Sequence, residues 1–268
     1  MSTNNHLPRH PVAFFVLVYA MSTPFWILST FIAKSWLPDN IPVSDIGAVL
    51  TPTIAAMILR YRENGVSGVW MLLKRTFDFS KIKHRRWLVT AALLFPLLYV
   101  LTYFAMRLLS LPVPSAWHPA PTLGAVFLLF FLAATAEELG YTAYETDALQ
   151  TRMSALSSAL IIGPIWALWH LPSMMELGQS TSLIAWGLVV TIAFRVIYIW
   201  IYNNAGRSLF AVIVVHAVGN TARTGFHGGR SAYELGQGSV AYSIVILAAL
   251  LVVALWGPKT LSNFVSRR

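Results

Sequence analysis

Five polar side chains interrupt the most apolar stretches of this chain, and they are of the types that activate water or bind a metal. They are two carboxylates, two imidazoles and an amide: Glu137, Glu138, His170, His216 and Asn220. A charged group at bilayer depth costs roughly 2.5–3.5 kcal/mol on insertion scales, so such groups are expected to be paired and functional. Catalysis and metal binding are therefore the two chemistries to test.

The adjacent glutamates are expected to meet different partners, because neighbouring helix residues lie about 100° apart around the axis. Glu138, Thr142 and Glu145 share one helix face, whereas Glu137 and Tyr141 share another. One alternative is that the helix ends just before the acids, which would then lie among headgroups or in water. The apolar residues that follow the acids favour a helix that continues.

The two histidines stand at different places in their segments. His170 is followed by Pro172, and a proline disfavours helix in the residue before it, so we expect the helix to end or bend there. His216 and Asn220 are four residues apart and share one helix face, where they can hold an anion, an oxyanion or a metal-bound water. Hydrogen bonding between helices is the alternative for this pair.

The remaining candidates have weaker grounds. Trp166 and Trp169 are expected to pack between helices rather than to stack on a substrate. Three other histidines lie in predicted loops, where we expect no part in a site: His84, His118 and His227.

The composition is that of a membrane protein. Hydrophobic residues make up 57% of the 268 residues and charged residues 11%, against about 25% charged in a soluble protein. The absence of cysteine excludes disulfides, thiol catalysis and cysteine-bound metals. The net charge of +9 collects in short loops instead of forming one patch, which indicates membrane topology and not a nucleic-acid binder. An all-α, polytopic helix bundle is the predicted fold class.

About eight apolar segments are predicted to be membrane helices, of which the second and the seventh are short. They are residues 12–33, 46–60, 87–109, 122–147, 155–171, 182–203, 209–222 and 239–256. The bundle is predicted to be a single domain over residues 1–268, with its catalytic-type core at about 122–225.

The loop charges predict the orientation. Loop 61–86 carries seven lysines and arginines and is expected in the cytoplasm with both termini, while loop 110–121 is expected outside. A bacterial inner membrane is the expected location. Apolar residues flanked by lysine and arginine at 66–79 predict a helix at the membrane surface, with a solvated linker as the alternative. Span counting puts Glu137 near the inner end of its helix and His170 near the outer end of the next.

Taken together, the three motifs resemble the CPBP family of CAAX prenyl proteases and bacteriocin-processing proteins, which includes Rce-like and Abi members. The family pattern is Glu-Glu-x-x-x-Arg, then aromatic-x-x-x-His, then His-x-x-x-Asn or Asp. The matching positions, in chain order, are Glu137-Glu138, Trp166 to His170, and His216 to Asn220. The resemblance covers roughly residues 122–225.

The resemblance implies an eight-helix intramembrane endopeptidase, whose site includes Glu138, and two mechanisms stay open. In the first, Glu137 is the general base and activates a water with His170, while His216 and Asn220 stabilise the oxyanion. In the second, Glu137, His170 and His216 hold Zn²⁺, which acidifies a bound water. No His-Glu-x-x-His motif supports the zinc alternative.

One position departs from the family pattern, because the motif arginine falls on Thr142. Threonine supplies no positive charge, and an unpaired carboxylate at depth is costly. We therefore expect Arg195, near the middle of a later span, to pair with Glu138 or Glu145. The alternative is that Arg195 reaches the membrane interface or bonds to backbone carbonyls.

The leading interpretation is an endopeptidase that acts on a peptide or a membrane-associated protein, with the lipid bilayer as its surroundings and no nucleic acid as partner. Thr142 keeps a second interpretation open, in which the chain is a non-catalytic scaffold or an immunity-like protein of the same fold. In a third, a transporter would use Glu137 and His170 as a proton relay. Transporters often contain repeated halves, and no repeat is visible here.

Overall fold

The structure is a computed structural model, and it describes residues 10–32, 42–113, 123–224 and 239–262. Within these ranges the chain forms helices and connecting turns, without a strand. The α-helices are α1 Pro11–Ser29, α2 Val43–Ala48, α3 Thr51–Lys74, α4 Arg86–Leu108, α5 Leu123–Gly140, α6 Ala155–Glu176, α7 Thr181–Asn204, α8 Leu209–Thr224 and α9 Ser239–Trp256. The all-α fold class is confirmed.

In the part of the chain that the structure describes, seven helical segments are long and apolar enough to cross a membrane. One of these segments joins α2 and α3, and an eighth, shorter apolar helix is α8. Large apolar side chains such as Leu108 and Leu132 are mostly exposed, as expected where a helix faces lipid. The prediction of about eight spans in an integral membrane bundle is therefore confirmed.

Helix α3 is longer than the segment 46–60 predicted for the second span. It runs on to Lys74 through a kink at Asn64 and Gly65, where Gly65 has φ +61° and ψ −153°. This conformation is essentially restricted to glycine, so one residue bends the chain without ending the helix. The segment 66–79 predicted as a surface helix is helical as far as Lys74, and short 3₁₀ turns follow. Its position at the membrane surface stays a prediction.

Helix α6 does not end at His170, contrary to the expectation drawn from Pro172. It continues to Glu176 with Pro172 inside it. A proline removes one backbone donor, and membrane helices tolerate this loss because neighbouring groups compensate for it. The predicted end at residue 171 is therefore wrong by more than one helical turn.

Helix α5 packs against α3 and α8. A Cβ at Gly140 would lie only 2.6 Å from the carbonyl oxygen of Pro52, so only glycine allows this close approach of α5 and α3. On the same interface the Thr53 hydroxyl donates to the carbonyl oxygen of Ala136 at 2.5 Å. Small residues and interhelical hydrogen bonds are typical of packing in membrane bundles. These two contacts hold α5 against α3 on both sides of the two glutamates.

Helix α1 is tied to α6 by buried polar side chains. The Tyr19 hydroxyl donates to the carbonyl oxygen of Ile165 at 2.7 Å, and Trp169 Nε1 donates to Ser22 Oγ at 2.8 Å. Ser22 Oγ is in turn 2.6 Å from Thr51 Oγ1 at the start of α3. These bonds hold α6 in place on both sides of Trp166.

A cluster of charges closes the end of the bundle that carries the basic loop. Asp147 accepts hydrogen bonds from Arg75 at 2.7 Å, from Tyr202 at 2.6 Å and from Arg207 at 2.5 Å. Arg75 also donates to Tyr202 and, at 2.8 Å, to the backbone carbonyl of Ala143. One aspartate thus joins the loop after α3 to the α7–α8 connection and to the C-terminal part of the α5 segment.

Candidate active site

The two adjacent glutamates lie in the last turn of α5, directly before a change of helix type. The backbone is α-helical to Gly140 and π-helical over Tyr141–Thr146, and one α-helical turn, Asp147–Leu149, follows. Every residue of the π-helical segment is buried. The helix therefore continues past the acids, and the alternative that it ends before them is wrong. Short π-helical segments are frequent at functional sites.

Glu137 faces α6 and is buried, with 8% of its side chain exposed. Its Oε2 accepts a hydrogen bond from Trp166 Nε1 at 2.7 Å and lies 3.7 Å from His170 Nε2. Trp166 precedes His170 by one helical turn, so the aromatic-x-x-x-His spacing places an N–H donor and an imidazole beside one carboxylate. Trp166 thus does more than pack, which the sequence analysis did not anticipate.

Glu138 faces α7 and α8, and its side chain has no exposed surface. Arg195 contacts both carboxylate oxygens, with Nη1 2.9 Å from Oε2 and Nη2 3.3 Å from Oε1. His216 Nδ1 is 2.9 Å from Oε1, and the Thr142 hydroxyl donates to Oε2 at 2.5 Å. Because a carboxylate only accepts, Nδ1 of His216 carries the hydrogen in this contact.

The predicted pairing of Arg195 with Glu138 is confirmed, and the alternatives for Arg195 are wrong. The missing motif arginine is replaced by one from another helix, and Thr142 also accepts a hydrogen bond from Arg195 Nη1 at 3.2 Å. Glu145 is not the partner. It is fully buried, and neither of its carboxylate oxygens forms a hydrogen bond within the described ranges.

Aromatic rings surround the buried Arg195 and connect the two carboxylates. The guanidinium carbon lies 4.3 Å from the centre of the Trp166 ring, 5.4 Å from that of Tyr141 and 5.5 Å from that of Tyr198. Such contacts between a cation and an aromatic face are favourable, most of all when they are desolvated. Trp166 therefore stacks on the cation that neutralises one glutamate while its N–H holds the other.

The second histidine and the asparagine both come from α8. The His216 ring packs 5.6 Å from the Trp166 ring and 5.1 Å from the Tyr198 ring, measured between centroids. Asn220 follows His216 by one turn and accepts a hydrogen bond from Arg223 Nη2 at 3.4 Å. The contacts thus gather Glu137, Glu138 and both histidines around Trp166. Asn220 lies on α8, one turn after His216.

The depth mismatch expected from span counting does not arise. Glu137 lies twelve residues before Leu149, and His170 lies fifteen residues after Ala155. At about 1.5 Å per residue, the two residues are roughly 18 and 22 Å from the connection that joins their helices. Both residues thus lie at a similar distance from this connection, and the 3.7 Å contact between them shows that the carboxylate and the imidazole lie at one level.

A further acid near the site was missed by the sequence analysis. Asp45 on α2 accepts a hydrogen bond from Ser173, which follows His170 by one turn of α6. The Glu176 carboxylate accepts from the backbone N–H groups of Val43 and Ser44 at 2.8 and 3.1 Å, and so caps the start of α2. The sequence signal for Asp45 is an acid at the edge of an apolar span. Such a position does not reveal which helix the acid will contact.

The residues predicted for zinc do not form a ligand set. Across the described part of the chain, no three His, Asp or Glu side chains are arranged to hold one metal ion. His216 turns Nδ1 to Glu138, and Trp166 occupies an oxygen of Glu137. The zinc alternative stays a prediction, and no reaction step is derived from it. His84 is exposed as expected, whereas His118 and His227 lie outside the described residues.

Comparison with known proteins agrees with the motifs. Residues 119–222 match the sequence profile of the family described as type II CAAX prenyl endopeptidase Rce1-like. A curated relative, CAAX prenyl protease 2 of Methanococcus maripaludis, is 47% identical over 47 residues. This match covers 18% of the chain and 17% of the length of the relative. The resemblance to this family is confirmed, and the profile spans the segment that holds all five candidate residues.

Proposed function

We propose that this chain is an intramembrane endopeptidase that cleaves a peptide or a membrane-associated protein. The observation that carries the proposal is the unequal surroundings of two adjacent acids. Glu138 has a cation, a hydroxyl and an imidazole as partners, whereas Glu137 has one tryptophan N–H and an imidazole at 3.7 Å. A fully paired carboxylate holds its neighbours in place, and a carboxylate with fewer donors is the better proton acceptor.

In the proposed reaction, Glu137 acts as general base on a water molecule. The water oxygen attacks the scissile carbonyl carbon, its O–H bond breaks, and the proton passes to the Glu137 carboxylate. The same proton then reaches the leaving amine as the C–N bond breaks. His170 lies close enough to bind the same water, and Trp166 fixes the carboxylate. A positioned general base typically contributes about 10²–10⁴-fold to the rate.

His216 and Asn220 are proposed to stabilise the oxyanion that forms on the carbonyl oxygen. The amide of Asn220 supplies N–H donors, and His216 donates through Nε2 in its protonated form. Preorganised donors at a developing oxyanion are among the largest catalytic contributions. In this proposal Glu138 acts through His216, whose ring it orients by the 2.9 Å contact to Nδ1, while Arg195 neutralises Glu138.

The substrate is proposed to be a peptide bond at or within the membrane. The relative from Methanococcus maripaludis is named a CAAX prenyl protease, so a prenylated peptide ending in Cys-aliphatic-aliphatic-X is the first defined probe. Because that match covers only 17% of the relative, unmodified membrane proteins are an equal second set of candidates.

The test compares cleavage by the wild type with cleavage by Glu137→Gln and His170→Ala. Membranes containing each variant are analysed by mass spectrometry of new peptide termini, and purified protein is tested on the prenylated probe. Glu145→Gln is the matched control, since it removes another buried acid of the same helical segment. Loss of all termini specific to the wild type in Glu137→Gln, with Glu145→Gln still active, supports the proposal.

Equal termini in the wild type and Glu137→Gln would contradict the proposed base. The absence of any terminus specific to the wild type would favour the alternative of a non-catalytic scaffold. The pairing of Arg195 with Glu138 weakens the original reason for that alternative, because Thr142 no longer leaves a charge without a partner.

A further inference from the structure

The Tyr141 hydroxyl is a buried polar group without a hydrogen-bond partner in the described ranges. Three other tyrosines of the bundle have hydrogen-bond partners: Tyr144 donates to Glu63 at 2.9 Å, Tyr202 to Asp147 at 2.6 Å, and Tyr19 to a backbone carbonyl. An unmade hydrogen bond in a buried site is costly, and each case in a native structure calls for an explanation. The exception here is the tyrosine that stands four residues after Glu137.

The Tyr141 ring packs against the tryptophan that holds the proposed base. Its ring packs 6.1 Å from the Trp166 ring, and the N–H of that tryptophan holds the Glu137 carboxylate. Tyr141 follows Glu137 by four residues, a spacing that places both side chains on one helix face, and this contact agrees with that prediction.

The rest of the side chain is held firmly. The Tyr141 ring meets the Phe14 ring edge-on at 5.5 Å and the Trp169 ring at 6.4 Å, and it lies against the Arg195 guanidinium. The ring therefore has packing partners enough to explain an aromatic residue at this position. Nothing in that packing requires a hydroxyl, because a phenylalanine ring would make the same contacts.

We propose that the Tyr141 hydroxyl is a further catalytic group, which donates a hydrogen bond to the water that Glu137 activates. This inference rests on the proposed function. The phenol keeps its proton throughout and binds a lone pair of the water oxygen, so that one water hydrogen points to Glu137. On attack, that hydrogen passes to Glu137 and the oxygen bonds to the carbonyl carbon. The hydroxyl thus aligns the water and forms its missing hydrogen bond only when that water is present.

The test is Tyr141→Phe, measured for both cleavage kinetics and thermal stability. We expect kcat to fall about 10- to 100-fold with KM unchanged, because the donor acts on the water and not on the substrate. The midpoint of thermal unfolding should stay the same or rise, because a buried group without a partner has been removed. A purely structural residue would give the opposite combination, with lower stability and an unchanged kcat for the folded fraction.

Tyr144→Phe is the matched control. It removes a hydroxyl from the same π-helical segment, and this hydroxyl donates a hydrogen bond to Glu63. It should lower stability and leave kcat intact. Wild-type kcat in Tyr141→Phe, together with an inactive Glu137→Gln, overturns the inference alone. Unchanged cleavage in Glu137→Gln overturns the proposed function, and the role of Tyr141 with it. A fall in stability in Tyr141→Phe that accounts for its loss of activity also overturns the inference.

Discussion

Replacing Arg195 by alanine tests how the chain compensates for Thr142. Arg195 and Glu138 have no exposed surface, and two N–H groups of the guanidinium contact the carboxylate. Removing one partner of a buried ion pair typically costs about 3–5 kcal/mol, because the other charge stays buried without compensation. In a domain of 150–250 residues, each kcal/mol moves the unfolding midpoint by about 2–4 °C, so the expected loss is roughly 6–20 °C.

The assay is thermal unfolding of purified protein in detergent, followed by intrinsic fluorescence. The charge explanation is separated from lost packing by the double variant Glu138→Gln/Arg195→Met, which removes both charges and keeps most of the volume. This double variant should be clearly more stable than Arg195→Ala. Adding Thr142→Arg to Arg195→Ala should restore part of the stability, because it returns a cation one turn from Glu138. A midpoint for Arg195→Ala within about 2 °C of the wild type would refute the reasoning.

Three further predictions concern the rest of the bundle. Gly65→Ala should destabilise the protein by about 1–3 kcal/mol in the same unfolding assay, because φ of +61° with ψ of −153° is strained for any residue but glycine. Gly124→Ala is the control and should have little effect, because a Cβ at that position meets no other atom. Asp147→Asn should cost about 1.5–3 kcal/mol in that assay, because it weakens charged hydrogen bonds from two arginines. Cysteines introduced singly at Ser80 and Ser115 should be labelled from opposite sides of the membrane by an impermeant reagent, since basic loops stay in the cytoplasm; labelling from one side would contradict the topology.

Much of the site was predictable because its chemistry conflicts with its surroundings. Acids, histidines and an arginine in apolar segments must find partners, so the pairing of Glu138 with Arg195 followed from the missing cation at Thr142. Spacing along a helix correctly predicted that Glu138 and Thr142 share a face. These inferences depend on local geometry and on the cost of burying charge, both of which can be read from a sequence.

Other features depend on contacts between distant segments and were missed. Pro172 was expected to end or bend α6 at His170, but the helix continues to Glu176. The Trp166 side chain was expected only to pack, because no sequence pattern shows that its N–H meets Glu137. The π-helical segment was not foreseen either, since residues such as Tyr141 and Thr146 occur in ordinary helices. Gly65 gave a local signal, but a glycine alone does not distinguish a kink from a helix end.

The central claim is that Glu137 activates water while Glu138 only holds its neighbours. The most direct measurement is the cleavage rate of purified protein on an identified substrate, after metal removal checked by elemental analysis. The account predicts full activity without metal, and a loss of about 10²–10⁴-fold in Glu137→Gln with the fold intact. A Glu137→Gln rate within tenfold of the wild type would contradict it. So would activity that disappears with the metal and returns when Zn²⁺ is added.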